Sequence, residues 1–112
     1  MNYEHKELAG GRWQKLSFFE QMANIGSEVE RAVNWKNKKN QDYCQRAFLR
    51  ALELLDLTIA DQQSWPRLKE LNRLREVLAD YFVFENTYGS TDISWHNYFF
   101  AFNYAASLKR AS

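Results

Sequence analysis

Four amphipathic segments separated by three short breaks constrain this chain more than any other feature. They fall at residues 17–37, 41–60, 66–84 and 93–109, each long enough for roughly 25–30 Å of α-helix at about 1.5 Å per residue. The first carries Phe18, Met22, Ile25, Val29, Ala32 and Val33, mostly in steps of three or four. The second carries Cys44, Ala47, Phe48, Ala51, Leu52, Leu55 and Ile59, and Leu54 and Leu57 widen its apolar face. The third shows Leu68, Leu71, Leu74, Leu78, Tyr81 and Phe82, with Arg67, Lys69, Glu70, Arg73 and Glu76 on a solvated outer face. Short connections make successive helices antiparallel neighbours. The pattern therefore predicts an all-α fold, an antiparallel up-down-up-down four-helix bundle.

The ends of the segments carry matching signals. Ser17 followed by Glu20 is a capping box, in which each side chain satisfies an orphan amide of the other's residue. Asn40 is the expected cap of the second helix, and Pro66 suits the first turn of the third, where a missing amide costs nothing. Asp92 or Ser94 is the expected cap of the fourth. Gly26 lies mid-helix, where it costs about 1 kcal/mol relative to Ala. A close helix–helix approach would account for it, and so would simple tolerance. Residues 1–16 read as a partly flexible leader, broken by Gly10 and Gly11 and anchored by Trp13 and Leu16; residues 17–112 read as the bundle domain.

With 112 residues, one domain is the expectation, large enough to hold a core without disulfide or metal. A formal net charge of +1 gives no general attraction for nucleic acid or membrane. No apolar run approaches a transmembrane span, and the polar start shows no secretory signal, so a cytoplasmic protein with no membrane partner is expected. The single cysteine, Cys44, reads as a small core or boundary residue.

Candidate chemistry is sparse. His5, His96 and Cys44 are too few for a zinc site, and neither histidine follows a glutamate at di-metal spacing, so no metal and no cofactor is expected. His96 could pair with Glu85 or Asp92 as a general base, although a surface histidine in the first helical turn is the favoured reading. No catalytic constellation stands out. Glu28, Arg31, Arg50, Asp56, Arg75 and Asp80 border the apolar stripes. They read as an interhelical polar network, with Arg50 or Arg75 meeting a carboxylate of a neighbouring helix; the lining of a polar pocket is the alternative. Lys36, Lys38 and Lys39 cluster at the end of the first helix, with Trp35 among them and Arg46 nearby. This combination suits phosphate contact beside base stacking, but lysines also complement a helix C-terminus.

Aromatic residues make up 16% of the chain, more than one small core accommodates. The fourth segment is the densest, with Trp95, Tyr98, Phe99, Phe100, Phe102 and Tyr104 covering more than one face. Trp13, Trp65, Tyr88, Trp95, Phe99 and Phe100 are the candidate interface rings, because aromatic enrichment marks interfaces.

The stretch Asn24-Ile25-Gly26-Ser27-Glu28-Val29-Glu30-Arg31-Ala32 resembles a group of small uncharacterised prokaryotic proteins, as do Arg50-Ala51-Leu52-Glu53-Leu54-Leu55-Asp56-Leu57-Thr58 and Arg67-Leu68-Lys69-Glu70-Leu71. The resemblance extends over most of the chain after Gly11 and brings no activity with it. In architecture alone the chain is similar to HEPN-type bundles and to the accessory bundles of ribosomal intervening sequences and diversity elements. That similarity implies roles linked to RNA or other nucleic acid. HEPN ribonucleases carry an Arg four to six residues before a His; here no Arg lies in the ten residues before His96, and His5 precedes every Arg. The leading expectation is a non-enzymatic interaction protein that self-associates or docks another protein through the fourth helix or the leader. The alternative is a HEPN-like or accessory bundle binding RNA or DNA through the basic helix end.

Overall fold

The computed structural model describes residues 11–111, with side chains through 108. Residues 1–10, including His5 and most of the expected leader, lie outside the described residues. A 3-10 turn, Trp13–Lys15, leads into four α-helices: α1 (Phe18–Asn37), α2 (Gln41–Asp61), α3 (Trp65–Phe82) and α4 (Asp92–Ala111). There is no strand among the described residues.

The helix starts follow their local chemistry. Ser17 Oγ accepts from the Glu20 amide at 3.1 Å, and Glu20 Oε1 accepts from the Ser17 amide at 3.0 Å. Asn40 Oδ1 caps α2 through the Tyr43 amide at 3.0 Å. Pro66 stands in the first turn of α3. The cap of α4 differs from the expectation. Thr91 holds that place: its hydroxyl accepts from the Ser94 amide at 3.0 Å, and its own amide donates to Ser94 Oγ at 2.9 Å. This leaves Asp92 as the first helical residue, with its carboxylate turned to other partners.

One core runs through the molecule. From α1 it takes Met22, Ile25, Val29, Ala32 and Val33; from α2 Ala47, Phe48, Ala51, Leu54 and Leu55; from α3 Leu71, Leu74 and Leu78; from α4 Trp95 and Phe99. The cross-helix pairs run in opposite senses. On α1 and α2, Trp35 meets Tyr43 and Glu28 meets Arg50. On α1 and α4, Lys36 meets Asp92, His96 meets Glu30 and Phe18 meets Phe102. Trp13 is 1% exposed and extends the core before α1 begins. Its indole Nε1 donates to Thr58 Oγ1 at 2.9 Å, and its carbonyl accepts from Gln21 Nε2 at 2.9 Å. The indole's polar edge is thereby satisfied, which is what allows so large a ring to be buried.

Helix α3 stops at Phe82, two residues short of the apolar run. The reason is Asp80. Its buried carboxylate accepts from the amides of Thr87 at 2.8 Å and Tyr88 at 3.0 Å, and its carbonyl accepts from the Asn86 amide at 3.1 Å. Asn86 takes a left-handed φ of 56°, and its side chain bonds Ser90 at both ends. The chain therefore folds back over the end of α3, leaving Val83 and Phe84 outside the helix and exposed.

Gly26 sits where α1 meets α4. A Cβ built there would lie 2.7 Å from the Phe99 Cβ and Cγ, so only glycine admits this approach. At a tolerant site Gly→Ala in a helix stabilises by up to about 1 kcal/mol. Here overpacking costs about 1–3 kcal/mol and reverses the sign. Gly26→Ala is expected to lose up to about 2 kcal/mol in urea unfolding, the net of those two effects. Asp80→Ala strands two amides and is expected to cost about 2–4 kcal/mol in the same assay.

Candidate functional site

Helix α4 has two apolar faces. The inner one carries Trp95, Phe99 and Ala106, all buried, with Tyr98 and Phe102 at its edges. The outer one carries Ile93, Phe100, Tyr104 and Leu108, which are 72%, 57%, 59% and 55% exposed. Their steps of seven, four and four keep them on one stripe of a 3.6-residue helix. From residue 93 to residue 108, α4 contains no Asp, Glu, Lys or Arg. The outer face of α3 is the contrast within the same molecule, since Arg67, Lys69, Glu70, Arg73 and Glu76 all stand exposed on it.

The expected interface rings divide between core and surface. Trp13, Trp95 and Phe99 are core, a correction to their reading as interface rings. Trp65, Tyr88 and Phe100 are exposed, Trp65 at the start of α3 and Tyr88 in the loop before α4. Composition shows that rings are in excess, but it does not show which ones the core takes. The outer stripe adds Ile93, Tyr104 and Leu108, residues whose helical spacing was already visible.

Three ion pairs of the expected polar network form, on two carboxylates. Arg50 Nε donates to Glu28 Oε2 at 3.1 Å, and Arg31 donates to Glu28 Oε1 at 3.0 Å. Arg75 Nε donates to Asp56 Oδ1 at 2.9 Å, in the open. Asp80 joins none of them, because it binds the loop amides. Glu28 is buried and receives both guanidinium groups, so its charge is matched.

The end of α1 carries a cluster that the sequence reading missed. Lys36 Nζ donates to Tyr81 Oη and, at 3.0 Å, to Asp92 Oδ1; Tyr81 Oη in turn donates to Asp92 Oδ1, and Asn37 Nδ2 donates to Asp92 Oδ2 at 3.0 Å. The cluster joins α1, α3 and α4. The Tyr81 hydroxyl, with help from Lys36 and Asn37, holds the Asp92 carboxyl below its usual range. Burial alone would lower the Lys36 ammonium, but its bonds to Tyr81 and Asp92 more than reverse that. Burial and Asp92 push the Tyr81 phenol up. The cluster brings together three segments distant in sequence, and no local spacing announces it.

Lys36 is thus engaged, whereas Lys38, Lys39 and Arg46 stand exposed. Lys38 lies over the Trp35 ring at 5.0 Å and Arg46 over the Tyr43 ring at 5.5 Å. His96 is exposed and contacts Glu30 at 3.1 Å, not Glu85 or Asp92 as its sequence neighbourhood suggested. Between α3 and α4 lies a cleft of about 200 Å³ lined by Glu70, Arg73, Leu74, Val77, Trp95 and Tyr98. Tyr98 Oη donates to Glu70 Oε2 at 2.7 Å, and burial together with that carboxylate raises the phenol well above its usual value. Burial also raises the Cys44 thiol, which favours the neutral form. Among the described residues no group of three or more His, Cys, Asp or Glu could hold a metal ion. No helix among them is long and apolar enough to cross a membrane.

No protein-family model matches the chain. No curated protein and no solved structure matches it significantly either.

The Asp92 cluster sets a pH dependence of opposite sign at each end. Asp92 is lowered, so its contribution is present above the ordinary aspartate range and fades as pH falls through the folded value. Lys36 is raised, so its contribution is present below the ordinary lysine range and fades as pH rises through the folded value. Both side chains are more than a third exposed, at 35% and 37%, which limits the pair. Asp92→Asn is expected to cost about 0.5–1 kcal/mol at pH 7. In thermal melts between pH 7 and pH 2 the difference from the parent should shrink toward zero at the acid end.

Proposed function

We propose that the protein is a non-enzymatic interaction module that self-associates through the outer face of α4. The observation that carries the reading is the exposed stripe of Ile93, Phe100, Tyr104 and Leu108 within an uncharged stretch. Contiguous exposed apolar surface of this kind marks interaction sites. A second copy is the favoured partner because a two-fold interface sets a patch against itself. A charged patch would repel its own copy; this one carries no formal charge. The order of cross-helix pairs supports an antiparallel up-down-up-down bundle, in which each helix keeps an outer face and that of α4 is the apolar one. A cytoplasmic location belongs to the same proposal.

A second reading is an accessory bundle, HEPN-like in architecture, that contacts RNA or DNA at the basic end of α1. Lys38, Lys39 and Arg46, all exposed, support it. Kinship with HEPN-type bundles rests on helix number and length alone.

Self-association is tested by mass. Multi-angle light scattering of the parent should give a multiple of 13.4 kDa. Phe100→Glu with Tyr104→Glu, both at exposed positions, should return the mass to one chain while the helical circular dichroism persists. A parent that stays a single chain across a wide concentration range would overturn the proposal.

A further inference from the structure

The basic end of α1 holds more than lysines. The turn after α1 closes with the Asn40 amide donating to the Trp35 carbonyl at 2.9 Å, and Lys39 takes the left-handed φ of 61° that this closure needs. That turn, and the Asn40 cap on the Tyr43 amide, bring the last turn of α1 against the first turn of α2. The rings of Trp35 and Tyr43 meet edge to face with centroids 4.8 Å apart. A cleft of about 290 Å³ lies beside them, lined by Trp35, Tyr43, Arg46 and Arg50. Trp35 is half-buried against the core, and Tyr43 is 44% exposed.

The charge around the cleft is one-sided. Arg46 and Arg50 line it, Lys38 lies over the Trp35 ring and Lys39 follows in the turn, while Lys36 is neutralised by Asp92 and Glu28 by Arg31 and Arg50. Asp42, in the first turn of α2, is the one acid of the segment from residue 35 to residue 50. Lys38 lies over the Trp35 ring and Arg46 over the Tyr43 ring, so a flat group that stacks there takes the place of a cation on an exposed side chain and leaves that cation beside it. A nucleobase is such a group, and the phosphate that follows it needs the cations beside it.

The geometry points to a binding site for single-stranded nucleic acid at this cleft, with an unpaired base against the Trp35–Tyr43 ring pair and phosphates on Lys38, Lys39 and Arg46. It rests on the second reading above and gives that reading a defined site. A base stacked on both sides within a duplex has no free face to offer these rings, so single strands are selected over duplex.

The test is fluorescence anisotropy of a labelled twelve-nucleotide oligouridine with the full chain, from 50 to 200 mM salt. Three phosphate contacts predict a slope of log K against log salt of about −2, at roughly −0.7 per contact for a single strand. Tyr43→Ser should weaken binding about tenfold while leaving that slope unchanged, because stacking carries no counterions. Tyr43→Phe keeps the ring and should bind like the parent. Lys38→Glu with Arg46→Glu should weaken binding and flatten the slope. Circular dichroism melts separate these effects from unfolding. Absence of binding at 50 mM salt would overturn both the site and the basic-end reading. Binding that ignores Tyr43→Ser, or that duplex or polyglutamate competes away equally well, would overturn the ring-pair site and leave only charge attraction at the helix end.

Discussion

The close approach of α1 and α4 at Gly26 is the constraint on which the outer surface depends. With no Cβ at Gly26, the Phe99 ring can lie directly on the α1 backbone, and this fixes the rotation of α4 about its own axis. Once Phe99 faces inward, Trp95 and Ala106 follow at steps of four and seven and are buried. The remaining rings have no choice of side. Phe100 stands a hundred degrees around the helix from Phe99, and Tyr104 and Leu108 share its azimuth. The exposed stripe is therefore a consequence of the same contact that builds the core. A larger residue at position 26 would move α4 outward and re-aim both faces together.

Polar groups fix what apolar contacts leave free. Glu28 sits in the α1–α2 seam with two guanidinium groups, and Asp92 ties the start of α4 to the end of α1. Both carboxylates sit where a slip of one helix by a turn would separate partners about 5.4 Å apart. Their worth to stability is modest, particularly for the part-exposed Asp92 pair. Their effect on register is larger, because every alternative register leaves a buried or half-buried carboxylate without its cation. Asp80 does the same for a loop: it turns chain after Phe82 onto the bundle end and places Thr91 to start α4.

Periodicity made the four helices legible because burial of a stripe is a local property of spacing. Ser17, Asn40 and Pro66 were legible because capping acts within three residues. Val83 and Phe84 were misread for the same reason in reverse. They continue the apolar run of α3, but the Asp80 carboxylate captures amides seven and eight residues ahead, a competition that no periodic count contains. Thr91 was passed over for Asp92 because Asp92 is as good a cap by type; its preference for Lys36, far off on α1, decided the matter. That Arg50 or Arg75 meets a carboxylate of a neighbouring helix follows from placing cations beside stripes, but the choice of Glu28 and Asp56 does not. The Lys36–Tyr81–Asp92 cluster does not follow either, since its members belong to three helices. Trp13 reads in sequence both as the anchor of the leader and as an interface ring, and a buried hydroxyl on α2, Thr58, gives its indole a place inside.

The engagement of Lys36 also sharpens the distribution of charge. A chain of net charge +1 has no surplus to spread, so a basic surface can arise only where local acids are already matched. At the α1–α2 end Asp42 is the one acid among the described residues that no cation holds. Asp92 holds Lys36 and Glu28 holds Arg31 and Arg50, so each matched acid also withdraws a cation from the surface. What remains exposed is Lys38, Lys39 and Arg46 beside two aromatic rings. On α4 the opposite holds: from residue 93 to residue 108 the helix has neither charge to match nor charge to offer. The same fold thus presents a surface suited to an anionic, flat ligand and another suited to its own copy, and the two differ in how each answers to salt. Charge contact weakens as ionic strength rises, because released counterions are less favoured. Apolar contact is strengthened by strongly hydrated salts. Salt is therefore the variable that separates the two surfaces in one preparation, with no substitution needed.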